Sequence, residues 1–229
     1  MSDPPTVPPI VPLMLPPAVV VATHNRGKAA EFAQMLGGDA EVTGAARPVE
    51  WRNLSAYPDI GEVEETGDTF RANACLKASE YATRTGQWAL ADDSGLEVDA
   101  LDGKPGVTSA RWAALHDAGS GDAANNALLL RQLESVPDDQ RTARFVCVLA
   151  LSDERGRIIL TARDTVEGRI IRKPRGANGF GYDPLFLIDT LGKTTAELTP
   201  AEKADVSHRG RALRRLKALL NETATEGQS

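Results

Sequence analysis

The chain has 229 residues, of which 41% are hydrophobic and 25% charged, and carries a formal net charge of −6. Those values describe an ordinary globular protein with room for one large α/β domain or two small ones. The acidic balance argues against a nucleic-acid partner, which needs a broad basic surface, although a few well-placed cations can still hold a small anion.

No stretch reaches the ~18 to 20 uninterrupted apolar residues of a membrane span, so no membrane partner is expected. Seven prolines fall in the first 17 residues, together with Asp3. That pattern fits neither a secretory signal nor a helix and reads as a flexible, polyproline-like tail over residues 1–17. Cys75 and Cys147 lie in apolar surroundings with no zinc-like spacing and no disulfide framework. They read as buried thiols of a cytoplasmic protein.

In chain order, AVVVA from Ala18 predicts a strand buried on both faces. Polar THNRGK follows, then a helix with Phe32 and Leu36 on one face and glycines at its stop. Residues 38–67 lack periodicity and end in the acidic turn EVEETG. Asp68 is expected to cap a helix whose buried face is Phe70, Ala74, Ala78 and Tyr81. WALADD predicts a second strand, and SGLEVDAL a turn into a third. A helix over about 122–135 precedes two strands of a hairpin, RFVCVLALSD and RIILTARDTVEGRII. The loop KPRGANGFGYDP, a short strand LFLI and a helix carrying Leu213, Leu216 and Leu220 complete the chain. Hairpins mixed with strand–helix units imply a mixed sheet in a single α/β domain over 18–221, with a flexible tail at 222–229.

Several segments could carry chemistry. Strand–THNRGK–helix suits a phosphate: free N–H groups at a helix start face the anion, Thr23 and Asn25 add donors, and Lys28 adds a charge. A plain turn capped by Thr or Asn accounts for the same residues. ADDSG follows a strand, and adjacent strand residues point to opposite faces, so Asp92 and Asp93 should do different jobs. One would face a cleft and serve a Mg²⁺ ion, with Glu64 or Glu65 as a second carboxylate; both as turn formers is the alternative. In FGYDP, a purine could stack on Phe180 while Asp183 accepts from a ring N–H. SHRGRAL sets Ser207, His208 and Arg209 at a helix start, where a basic cluster opposes the helix dipole and so suits a ligand. Walker A, GxGxxG and GxSxG motifs are absent.

THNRGK, EETG, NAxxKA, ADDSGLEVDAL, PGVxSAR, FGYDPLF, TxAELTxxEK and SHRGRAL occur in this order. Together they resemble the inosine/xanthosine triphosphate pyrophosphatase family over residues 18 to about 220. The resemblance implies an elongated mixed sheet flanked by helices, with a groove between two lobes. It also implies a homodimer that uses Mg²⁺ to cleave ITP, dITP or XTP to the monophosphate and pyrophosphate. By position, Thr23, His24, Asn25, Arg26, Gly27 and Lys28 match the triphosphate segment. Asp93 matches the proton acceptor and metal-linked carboxylate, Glu64 a second metal ligand, Ser94 a substrate contact and Lys77 a pocket lysine. Phe180, Gly181, Tyr182, Asp183, Lys203, His208 and Arg209 match the remaining nucleotide contacts, with Arg209 expected to read the oxygen at purine position 6. Departures are His24 for a frequent Gly, Arg71 for a frequent Glu and Thr108 for a frequent Tyr. FGYD and SHRGRAL disfavour a pyrimidine substrate, and the intact acidic groups disfavour a nucleotide sensor without turnover.

Overall fold

The computed structural model describes residues 15–36 and 49–226. The first 14 residues of the Pro-rich segment, the glycine stop near residue 37 and the last three residues lie outside them. Seven strands form one sheet, in the order β2-β1-β3-β4-β5-β6-β7. They are β1 Ala18–Val21, β2 Glu50–Asn53, β3 Trp88–Val98, β4 Thr142–Ser152, β5 Ile158–Ile170, β6 Phe186–Ile188 and β7 Lys193–Thr194. β1 runs parallel to β2 and β3, and every later pair is antiparallel. The expected mixed sheet flanked by helices is therefore found. The helices are α1 Arg26–Leu36, α2 Phe70–Thr85, α3 Gly121–Gln132, α4 Pro200–Val206 and α5 His208–Glu226. None of the described helices is long and apolar enough to cross a membrane.

Period-2 alternation sorts the central strands onto two cores. Val19 and Val21 of β1, Leu90 of β3 and Leu149 of β4 pack with Phe32 and Leu36 of α1 and Leu213, Leu216 and Leu220 of α5. Val20, Ala89, Ala91, Val146 and Val148 face the other way, onto Phe70, Ala74, Ala78 and Tyr81 of α2. The expected apolar faces of all three helices are thus the buried ones. A third core joins the far end of the hairpin to α3 and to Tyr182, Leu185 and Phe186.

Three local expectations are corrected. The segment read as two strands around a turn is one 11-residue strand, paired with β4 from Ala89 to Val98. Gly95, taken as a turn residue, sits mid-strand because a Cβ there would lie 2.4 Å from the Gly106 carbonyl oxygen. The glycine permits a close crossing, not a bend. Thr69 rather than Asp68 caps α2, its hydroxyl accepting from the Ala72 N–H at 3.1 Å. β2 lies in the stretch that showed no periodicity; at the sheet edge its pattern is only half-buried. At the ends, Leu15 is buried in the first core, and α5 continues to Glu226.

Candidate active site

A cavity of about 680 Å³ opens where β1, β3, α1, α2 and α5 converge, within the size range of small-molecule sites. The chain leaves β1 through Thr23 and Asn25 and turns into α1. Asn25 caps the helix, its Oδ1 accepting from the Lys28 N–H at 3.0 Å, and its own N–H donates to Thr23 Oγ1 at 3.2 Å. Thr23, His24, Asn25 and Lys28 line the cavity, whereas Arg26 and Gly27 do not. Arg26 is exposed. Gly27 instead supports Phe180, since a Cβ at Gly27 would lie 2.4 Å from that ring.

The alternation of β3 separates the two aspartates as expected. Asp92 shares the face of Leu90 and meets Lys28 Nζ at 3.0 Å and Arg209 Nη2 at 3.1 Å. Burial alone would raise its carboxyl, but the charges of Lys28, Arg209 and Lys77 outweigh that and hold it well below the carboxylate range. Asp93 shares the face of Ala91 and lines the cavity. Its Oδ1 accepts from Lys77 Nζ at 3.0 Å and its Oδ2 from Asn73 Nδ2 at 3.3 Å. Burial pushes the Asp93 carboxyl above its ordinary range; Lys77 opposes the rise and Glu65 adds to it. An elevated carboxylate facing a cavity suits a proton acceptor.

The acidic turn arrives beside this pair. Glu65 accepts from Lys77 at 2.6 Å, while Glu64 is exposed on the cavity lining and makes no ion pair among the described residues. Asn73 anchors the turn, its Oδ1 accepting from the Gly67 N–H at 2.7 Å. Asp93, Glu64 and Glu65 supply hard oxygen donors to one cavity. No group of three or more His, Cys, Asp or Glu among the described residues forms a ready metal cage. The donor set fits a cation held by one or two carboxylates and completed by phosphate and water.

The opposite wall comes from the FGYD loop and α5. Phe180 lies with its centroid 5.0 Å from Lys203 Nζ and 5.9 Å from Arg209 Cζ. Asp183 lines the cavity with its carboxylate largely engaged: its Oδ2 takes the Phe180 N–H and Lys203, and its Oδ1 takes the Thr195 hydroxyl at 2.8 Å. These bonds shape the loop. Tyr182 is likewise anchored, donating to the Ser109 carbonyl at 2.9 Å, and Gly181 donates to Asp122 at 2.6 Å. Ser207 caps α5 by accepting from the Gly210 N–H at 3.1 Å. His208 stacks on Phe145 with centroids 4.9 Å apart. Burial, with the charges of Arg209 and Lys203, keeps that imidazole neutral, and its Nδ1 is buried without a hydrogen-bond partner.

Arg209 is 1% exposed. It donates to Asp92 from Nε and Nη2, to Ser94 Oγ at 2.8 Å, and to Glu31 from Nη1. Glu31 also accepts Lys203 at 2.6 Å, and these two cations lower its pKa against the opposing effect of burial. Glu31 lies outside the quoted motifs, and Asn73 of NAxxKA and Arg111 of PGVxSAR have no site role assigned from the sequence. Glu31 had one legible signal: it lies three residues from Lys28, on the same side of α1. Of the three departures, His24 is exposed beside Tyr81, Arg71 is exposed, and Thr108 donates to the Pro105 carbonyl.

Residues 19–219 match the model of the Ham1 family. The chain belongs to the Ham1 family. It is 52% identical over 202 residues to a dITP/XTP pyrophosphatase of Exiguobacterium sibiricum, covering 88% of this chain and 96% of the relative. A dITP/XTP pyrophosphatase of Frankia alni is 47% identical over 209 residues, covering 90% and 98%. Among solved structures, a HAM1 protein from Coxiella burnetii superposes with a TM-score of 0.76 at 40% identity, covering 90% of this chain and 98% of that one. A nucleoside-triphosphatase / dITP/XTP pyrophosphatase from Mycobacterium abscessus gives 0.65 at 45% identity, covering 87% and 98%. The Ham1 fold thus carries the whole cavity wall, since every residue lining it falls inside the matched span.

Proposed function

We propose that this Ham1 family chain hydrolyses deaminated purine nucleoside triphosphates (ITP, dITP and XTP) to the monophosphate and pyrophosphate, as a Mg²⁺-dependent, cytoplasmic homodimer. The observation that carries the reading is the meeting, in one cavity, of a capped helix start with Lys28, an elevated Asp93 and the aromatic–basic wall of Phe180, His208 and Arg209. The names of the relatives in Exiguobacterium and Frankia point to the same chemistry.

The triphosphate lies against Thr23, Asn25 and the start of α1, where N–H groups and Lys28 favour an anion. Asp93 and Glu64 would hold a Mg²⁺ ion, which would supply charge neutralisation on the phosphate oxygens. Asp93 accepts a proton from the water that attacks the α-phosphorus, and Lys77 keeps its carboxylate oriented. Ser94, hydrogen-bonded to both Asp92 and Arg209, borders the same space. The base stacks on Phe180 above Gly27.

Selectivity rests on Arg209. A guanidinium has five N–H donors and no acceptor; four hydrogen bonds to Asp92, Ser94 and Glu31 leave one Nη1–H. That donor satisfies the oxygen at position 6 of hypoxanthine or xanthine and opposes the amino group of adenine. The neutral His208, whose Nδ1 has no protein partner, adds a second polar contact. Desolvated, unpaired donors cost about 1 to 3 kcal/mol, equivalent to roughly tenfold to a hundredfold in selectivity. The test is pyrophosphate release with Mg²⁺ across ITP, XTP, dTTP, UTP, ATP and GTP. ITP and XTP should exceed ATP by at least that factor, whereas guanine shares the position-6 oxygen and is not rejected by Arg209; equal rates on ITP and ATP would refute the reading.

A further inference from the structure

Charge accounting inside the cavity singles out a residue that the reading above leaves unused. Five lysines and arginines line it: Lys28, Lys77, Lys203, Arg209 and Arg111. Four of them are buried or nearly so and are tied to carboxylates. Lys28 holds Asp92, Lys77 holds Glu65 and Asp93, Lys203 holds Glu31 and Asp183, and Arg209 holds Asp92 and Glu31. Much of their charge is therefore already neutralised before a polyanion arrives. Arg111 differs. Its side chain is 48% exposed, and its ion pair among the described residues is a loose 3.9 Å approach of Nη1 to Glu65 Oε2. The Glu65 carboxylate is at the same time engaged by Lys77 at 2.6 Å.

The backbone that carries Arg111 is, by contrast, firmly fixed. Arg111 ends the short helical turn Gly106–Arg111, which crosses β3 at Gly95 with no room for a side chain. Ser109 Oγ donates to the Gly106 carbonyl at 2.6 Å and accepts the Leu96 N–H at 2.9 Å. The Ser109 carbonyl takes the Tyr182 hydroxyl, and the Ala110 carbonyl takes Asn125 Nδ2 at 3.1 Å. An anchored backbone with an uncommitted guanidinium is the arrangement expected of an anion ligand, because little ordering is needed beyond the side chain itself. Arginine's planar fork suits two phosphate oxygens at once.

We propose that Arg111 is a phosphate-binding residue that engages the leaving pyrophosphate portion of the triphosphate, exchanging its loose contact with Glu65 for phosphate oxygens. The proposal rests on the nucleotide reading of the same cavity. It adds a group that distinguishes triphosphates from monophosphates and that grips the product formed by cleavage at the α-phosphorus.

The test is calorimetric binding of pyrophosphate and of IMP to the unaltered protein, Arg111→Gln and Arg111→Lys, alongside KM for ITP. Arg111→Gln should weaken pyrophosphate binding and raise KM roughly tenfold to a hundredfold, the size expected for a charged hydrogen bond. IMP affinity and the thermal unfolding midpoint should stay unchanged, and Arg111→Lys should recover part of the loss. Unchanged pyrophosphate affinity, or equal weakening of pyrophosphate and IMP, would overturn the assignment. Failure of the unaltered protein to cleave ITP would refute the functional reading instead, since pyrophosphate binding is measured without any nucleoside.

Discussion

Replacing the two adjacent aspartates one at a time should produce opposite phenotypes. Asp92 is 2% exposed and sits between Lys28 at 3.0 Å and Arg209 at 3.1 Å. Asp92→Asn leaves the buried Arg209 with Glu31 as its remaining carboxylate and Lys28 with no ion-pair partner among the described residues. Removing one member of a buried pair costs about 3 to 5 kcal/mol, a large share of the roughly 5 to 15 kcal/mol that stabilises a domain. The sign with pH follows from the depressed carboxyl. Its contribution is present above the unfolded Asp range, so acidification through the folded pKa removes it and the Asn variant never has it. Asp93→Asn is different. The raised Asp93 carboxyl favours the folded state only while protonated, so losing its charge at neutral pH costs little, and Lys77 keeps Glu65 at 2.6 Å. Activity, however, should fall by ~10² or more, as for loss of a general base. Urea unfolding and ITP turnover on both variants make the comparison. A stable, active Asp92→Asn beside an inactive and unfolded Asp93→Asn would refute the assignment of faces.

Other outcomes follow from the same geometry. Lys77→Met removes the charge that opposes the rise of the Asp93 carboxyl, so the acid limb of kcat/KM should move to higher pH; Glu65→Gln should move it lower, and pH–rate profiles at fixed Mg²⁺ would read both. Gly27→Ala drives a methyl to 2.4 Å from Phe180. It should raise KM for ITP, with about 1 to 3 kcal/mol of overpacking seen in chemical denaturation. Arg209→Ala leaves Asp92 with Lys28 and Glu31 with Lys203 but takes a buried cation from both and should destabilise the protein, so Arg209→Lys is the informative change. It retains the charge, loses the fork, and should bring the ITP-to-ATP ratio of kcat/KM toward unity.

The sheet faces were legible because β-branched and apolar residues alternate or repeat with the period of their element: Phe70, Ala74, Ala78 and Tyr81 needed no tertiary knowledge. The same alternation separated Asp92 from Asp93. It could not tell which faced the cavity, since that depends on whether α2 or α5 covers a given side of β3. Ser94-Gly95 misled because its turn chemistry is local, whereas the ladder to β4 and the crossing of Gly106–Arg111 over Gly95 are not. Asp183 was read as a base acceptor from its place in a loop. Its engagement by Thr195, Phe180 and Lys203 joins residues up to 20 positions apart and leaves no local trace. Glu31 escaped notice for a similar reason: its partners Lys203 and Arg209 enter from helices at the other end of the chain.

The central claim is that water attacks the α-phosphorus under the control of Asp93. Hydrolysis of ITP with Mg²⁺ in water labelled with heavy oxygen, followed by mass analysis of both products, tests it directly. The label should appear in IMP, with unlabelled pyrophosphate released in equal amount. Label in the pyrophosphate, or formation of IDP and orthophosphate in its place, would contradict the account.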